Sequence, residues 1–181
     1  EAVPAFQLQQ AQLLVLGDSP SDAALASAGQ FVREGKIALV PIASAASTTA
    51  AKILGTTLPI VEAPARDYAM LAQIDFTHPL LVPFADPRFS DFTKIHFWKH
   101  RRLDLAALEE ARELARFDSG DPALVQVPLG RGSVVLLATT WRPADSQLAL
   151  SSKFVPLLHA LLELSSRRPA ARAQHFVGDE V

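Results

Sequence analysis

Cysteine is absent from the 181 residues of this chain. Its absence removes disulfides, thiolate-ligated metals and a cysteine nucleophile, but leaves the compartment open, because exported and cytosolic chains alike can lack it. No apolar run approaches the roughly 20 residues that cross a bilayer as a helix. The first residues also lack the basic, apolar and small-residue blocks of a signal peptide. The chain opens at Glu1 without an initiator Met, so we expect a piece of a longer protein whose parent could carry a membrane anchor. Neither sign of charge prevails: 17 basic against 19 acidic side chains leave a net charge of −2, and no global field draws the chain to nucleic acid or an anionic membrane. What is present is apolar, at 49% hydrophobic residues, over a length that suits one core. The expected organisation is one α/β domain over residues 1–165 and a tail or linker over 166–181.

The most strongly patterned stretch runs from Asp121 to Leu164. Val125 to Pro128 and Ser133 to Thr139 are rich in β-branched residues, and Leu129-Gly130-Arg131-Gly132 between them supplies glycines for the positive φ of a hairpin. Val134 to Ala138 is apolar without alternation, which predicts a strand covered on both faces. A polar loop over Thr140 to Ser152 follows. Phe154, Leu157, Leu158, Leu161 and Leu162 then recur at helical spacing, and Pro156 places the start of that buried helix near Lys153.

Earlier in the chain, Ala11 to Leu16 is a short apolar strand. Ser19-Pro20-Ser21-Asp22 reads as a helix start with a hydroxyl cap, proline at the first position and an acid three residues after the cap, which makes Ser19 the cap. Leu25, Ala28, Phe31 and Val32 line one side of that helix, Gly35 ends it, and Ile37 to Ile42 is a second strand. Strand, helix and strand this close in sequence form a βαβ unit with parallel strands. A second helix is expected over Ala43 to Leu54, ended by Gly55. Leu58 to Val61 reads as a strand, and Tyr68 to Ile74 as a strand or one helical turn. The prolines from Pro79 to Pro87 predict a long surface excursion over Thr77 to Asp91. Lys94 to Arg102, KIHFWKHRR, reads as a strand that faces solvent along much of its length, and Leu103 to Leu114 as an amphipathic helix running into a strand over Glu113 to Phe117. That strand, Ala123 to Pro128 and Ser133 to Thr139 are expected to form an antiparallel run joined by the turn Asp118-Ser119-Gly120-Asp121 and the Gly130 turn.

Chemistry is sparse. Asp18 follows a strand, at the carboxyl end where parallel sheets bind ligands. However, Pro20 and Asp22 stand where the Asp-x-Ser-x-Ser metal loop of von Willebrand type A domains has its hydroxyls, so no metal is expected there. Trp141 offers a stacking face, Arg142 an anion fork and Asp145 an acceptor, unless Arg142 and Asp145 simply pair. His96 and His100 on one strand face would lie about 13 Å apart, too far to share a metal. His78 and His175 are isolated. Lys94, Lys99, Arg101 and Arg102 interleave with Phe97 and Trp98, but Asp91, Asp104, Glu109 and Glu110 offset their charge. A partner-binding or solvated strand is favoured over a nucleic-acid groove.

Two resemblances add to this. Phe31 to Ala45, FVREGKIALVPIASA, resembles the strand leading to the nucleophile elbow of class I glutamine amidotransferases, with Ser44 at the nucleophile's place and alanines around it. The runs HPLLVPFADPRFSDF, FWKHRRL and ARFDSGDPALVQVPLGRGSVVLLATTWRPADSQLALSSKFVPLLHALL, in that order, resemble the soluble amidotransferase-like domain of bacterial BatA-type membrane proteins, which carry an aerotolerance-regulator amino-terminal region. That likeness implies a three-layer, flavodoxin-like α/β fold with a mostly parallel sheet and an antiparallel edge hairpin. It further implies a membrane-anchored parent with this domain outside the cytoplasmic membrane. With no cysteine and no His-x-Glu pair near the chain's end to supply a base and its orienter, the domain is expected to bind a protein partner or small ligand rather than run a reaction. The expected site is Asp18 with Ser44, and separately Trp141, Arg142 and Asp145, with no cofactor, metal or nucleic acid. The alternative is a hydrolase using Ser44, or Ser146 with His159, as nucleophile and base.

Overall fold

The computed structural model describes residues 10–64 and 67–166, so the expected tail beyond Ser166, with His175, lies outside the described residues. The apolar run at Ser133 forms the centre of the sheet. This strand, β8 (Gly132–Leu137), pairs in parallel with β2 (Ile37–Pro41) and antiparallel with β7 (Pro122–Leu129). Val134, Val135 and Leu136 have no exposed surface, as expected of a strand covered on both faces. Outward on one side β2 pairs in parallel with β1 (Leu13–Val15), and on the other β7 continues antiparallel to β6 (Arg112–Phe117) and then β4 (Leu71–Ile74). The order is therefore β1-β2-β8-β7-β6-β4, a mixed sheet in which β1, β2, β8 and β6 share one direction. The expected antiparallel run of β6, β7 and β8 is present and β4 carries it to the far edge, so antiparallel pairing takes up more of the sheet than an edge hairpin. A second, two-stranded sheet joins β3 (Ile60–Glu62) to β5 (Arg101–Leu103).

Helix α1 (Asp22–Arg33) buries the expected Leu25, Ala28, Phe31 and Val32. Its cap is Ser21 and not Ser19: the Ser21 hydroxyl accepts from the Ala24 N–H at 3.2 Å, and Pro20 precedes the helix because Ser19 turns to φ 58. The second helix is shorter than expected. Only α2 (Thr49–Leu54) is helical, because in the preceding loop the Ala45 N–H is drawn to the Glu62 carboxylate and Ser47 N–H closes a turn on Ser44. Gly55 ends α2 in the left-handed conformation at φ 70.

Three expectations give way to tertiary packing. The Thr77–Asp91 excursion is not superficial: His78, Leu80, Leu81 and Phe84 are buried, and Leu81 lines one apolar space with Leu71, Ala115, Leu124 and Leu157, so the segment helps to cover the antiparallel half of the sheet. Leu103 to Leu114 is not a helix; its ends are drawn into β5 and β6 by strand pairing, which outweighs weak local propensity. Lys94 to Arg102 does not face solvent along its length, since Ile95, Phe97, His100 and Arg101 are all buried. The last helix, α3 (Phe154–Ser166), is only half covered: Ala160 and Leu161 are buried, whereas Val155 is 73% exposed.

Two positions lock the sheet to its cover. A Cβ at Gly132 would collide with the backbone oxygens of Lys36 and Val32, so only hydrogen fits where the hairpin meets the end of α1. Buried His78 accepts the Leu80 N–H on Nδ1 at 3.2 Å, which leaves Nε2 to donate to Gln126 Oε1 at 2.9 Å, and Gln126 in turn donates to Ser133. Burial therefore holds the His78 imidazole below its ordinary value, neutral in the folded chain. Gly132→Ala is expected to lower unfolding free energy by about 1–3 kcal/mol in urea titrations, while Gly17→Ala, with open space around it, changes it far less. The stability that neutral His78 contributes is present above the ordinary imidazole value near 6.5 and is lost as pH falls through the lowered folded value. Urea midpoints of the wild type should therefore drop between about pH 7 and pH 5, more steeply than those of His78→Asn.

Candidate functional site

Parallel pairing of β1 and β2 carries the loops at Asp18 and Ser44 to the same end of the sheet, where the Thr49 hydroxyl donates to the Gly17 carbonyl at 3.3 Å and ties them together. Asp18 is exposed, and neither it nor the Ser44 hydroxyl hydrogen-bonds another described residue. One residue on, the Ala45 N–H donates to Glu62 Oε1 at 3.0 Å. Beside it, the Ser47 hydroxyl is buried without a partner among the described residues.

Glu62 leads to the residue that organises this end of the molecule. The Arg101 side chain, 5% exposed, donates from Nε to both Glu62 oxygens at 3.1 and 3.3 Å and from Nη1 to the Ile42 carbonyl at 3.2 Å, with Asp145 Oδ2 at 3.6 Å. A buried guanidinium requires such compensation. Asp145 is buried as well and accepts from the Thr140 hydroxyl at 2.6 Å. It thus faces inward and pairs with Arg101, not with Arg142. Trp141 packs on Phe154 at a centroid distance of 5.6 Å, and the Arg142 side chain is exposed. The expected Trp141, Arg142 and Asp145 group is consequently dispersed, since Asp145 is claimed by a cation that arrives from β5.

The alternative nucleophile and base are also engaged elsewhere. Ser146 is 1% exposed, and its hydroxyl donates to the Thr140 carbonyl at 2.7 Å. His159 does not lie within the apolar face of its helix; its side chain is 69% exposed and sits 3.4 Å from Glu163.

On the other side of β5, at alternate positions, His100 Nε2 and Arg102 Nε reach the two oxygens of Asp121, each at 3.0 Å. Ser119 completes the group by donating to Asp121 Oδ2 at 2.7 Å. Burial pushes the Asp121 carboxyl up, but the hydrogen bonds from His100 and Ser119 and the charges of His100 and Arg102 outweigh it and hold the carboxyl below its usual range. Serine, histidine and aspartate here do not form a relay. Ser119 and Asp121 approach the same imidazole nitrogen, and the serine proton is directed to the carboxylate. Read as a plain turn, Asp118 to Asp121 gave no sign of this grouping, and KIHFWKHRR no sign that alternate residues serve different sheets.

Along the segment that leads into β5 lies a cleft of about 250 Å³, bordered by Glu62, Tyr68, Trp98, Lys99 and His100, with buried Ala69 and Phe97 among its lining residues. Tyr68 stacks on His96 at 4.0 Å.

No protein-family model and no curated protein matches the chain. Solved structures do. A cytoplasmic protein from Salmonella typhimurium LT2 is 18% identical with a TM-score of 0.67, the match covering 90% of this chain and 75% of that one. A protein described as ThuA-like from Parabacteroides merdae is 14% identical with a TM-score of 0.57, over 91% of this chain and 72% of that one. One described as a GMP synthase subunit, from Thermoplasma acidophilum, is 10% identical with a TM-score of 0.56, over 89% and 76%. The likeness is one of fold. The chain shares with them a mixed α/β architecture, and at these identities the likeness goes no further.

Replacing Arg101 by Met strands Asp145 in the interior. The expected cost is about 3–5 kcal/mol of unfolding free energy in chemical denaturation, part of which Asp145→Asn in the same chain should restore.

Proposed function

We propose that this domain is a non-catalytic, amidotransferase-like module that binds a partner protein or small ligand at the carboxyl end of its sheet. One observation carries the reading. In elbow enzymes the backbone N–H after the nucleophile stabilises the oxyanion of the tetrahedral intermediate. At the corresponding place here the Ala45 N–H is satisfied by the carboxylate of Glu62, a negative charge that Arg101 fixes in position. A developing oxyanion next to Ser44 would meet a carboxylate rather than a donor. The histidines of the described region support the same reading, since His78 bonds Gln126, His100 bonds Asp121, His96 stacks on Tyr68 and His159 faces Glu163.

The finer assignments rest on resemblance. The domain is a three-layer, flavodoxin-like relative of the class I amidotransferases, placed in a BatA-type parent that a membrane segment anchors, and it faces the extracytoplasmic side. What supports this is the order of the HPLLVPFADP, FWKHRRL and Ala115–Leu162 segments in one chain. No helix among the described residues is long and apolar enough to cross a membrane. Arg101 and Arg102 are engaged with Glu62 and Asp121, which favours a protein or small-molecule partner over a nucleic-acid backbone.

Incubation with p-nitrophenyl acetate, with glutamine and with a fluorophosphonate probe should give neither turnover nor Ser44 labelling. Saturable turnover that Ser44→Ala abolishes would overturn the assignment.

A further inference from the structure

The segment that crosses the carboxyl end of β8 is irregular at one point. Phe97 bridges Ser146, but the next two residues both donate to a single acceptor: the Trp98 N–H reaches the Asp145 carbonyl at 2.8 Å and the Lys99 N–H reaches it at 3.1 Å. Two residues opposing one is a β-bulge, a device that re-aims side chains and breaks the alternation of a regular strand. Trp98 and Lys99, which a regular strand would send to opposite faces, border the same cleft.

The bulge is held from below. Asp145, its acceptor, is fixed by the Thr140 hydroxyl and by Arg101, and the Lys99 carbonyl accepts from the Thr139 hydroxyl at 2.7 Å. The buried network therefore positions an exposed pair.

The surroundings of that pair define a chemistry. Trp98 is 40% exposed and Tyr68 is 42% exposed, so two aromatic rings keep accessible surface within a cleft of about 250 Å³. The His96 ring stacked on Tyr68 limits the freedom of one of them. Among the charged residues bordering the cleft, Glu62 is matched by Arg101, whereas Lys99 makes no ion pair with another described residue. Among the described residues, one uncompensated cation thus stands beside a flat apolar surface. We infer that the Trp98–Lys99 bulge makes this cleft a site for a small carboxylate with a planar body, the ring resting on aromatic surface and the carboxylate meeting the Lys99 ammonium.

This rests on the reading of the carboxyl end as a binding site and names its ligand class. The test uses the full chain and three probes, benzoate, benzamide and acetate, at millimolar concentrations, followed by amide chemical shifts and calorimetry. Benzoate should shift residues around Trp98 and bind about tenfold more tightly than benzamide or acetate, a difference of one charge-assisted contact or one ring. Lys99→Gln should lose about tenfold in benzoate affinity and the salt dependence with it, Trp98→Leu should lose a similar amount, and Lys94→Gln, outside the cleft, should lose none. If Trp98→Leu fails to fold, the exposed Lys99→Gln still decides the matter. Equal binding of benzamide and benzoate, full benzoate affinity in Lys99→Gln, or no shift with benzoate at all overturns the carboxylate assignment. Ser44-dependent turnover would sink the non-catalytic reading instead and leave this one standing.

Discussion

A guanidinium withdrawn from water must find opposite charge and acceptors inside the protein, and Arg101 finds them on three segments that the chain order keeps apart: Glu62 on β3, the Ile42 carbonyl at the end of β2, and Asp145 in the loop after β8. Each contact fixes one of those segments against the others. A buried ion-pair network of this kind adds little net stability over an apolar replacement, but its geometry tolerates few alternatives. Here it decides where the two-stranded sheet sits relative to the six-stranded one.

The same constraint shapes the surface. Because Arg101 holds the half-exposed Glu62 carboxylate in place, Glu62 is also positioned to accept the Ala45 N–H, so the turn that resembles an enzyme's elbow has its donor already satisfied. Because Asp145 is turned inward too, its backbone carbonyl is presented to the Trp98–Lys99 pair, and the strand bulges over it. His100 and Arg102 use the intervening faces of the same short segment to hold Asp121 and the β6–β7 turn. The satisfied Ala45 donor and the accessible aromatic and cationic surface at Trp98 and Lys99 thus trace back to one buried side chain.

Much of the scaffold was legible where the determining interactions are local. Glycine at position 130, the β-branched run beside it, the apolar spacing of α1 and the glycine that ends it are all readable from neighbours in sequence, and the structure has them where expected, whereas Gly132 lacks the positive φ expected of it and is required instead by the close approach of Val32 and Lys36. KIHFWKHRR was not legible in the same way. Its charges suggest solvation, and nothing within the segment announces that Arg101 pairs with a residue 39 positions away while Arg102 pairs with one 19 positions away. The Leu103–Leu114 region failed for a related reason. Leucine and alanine at mixed spacing fit a helix, but the pairing partners β3 and β7 were the deciding terms, and those are remote.

By itself, then, the sequence determined the apolar centre of the sheet, the parallel βαβ opening, the hairpin, and the exclusion of cysteine chemistry, because each depends on residue type and short-range periodicity. Only the tertiary structure decided which polar residues meet. Asp145 could pair with Arg142 nearby or Arg101 far off, and Ser44 could stand beside a base or beside a filled donor site. Those choices depend on desolvation and on distances through space, and a linear pattern of residues records neither.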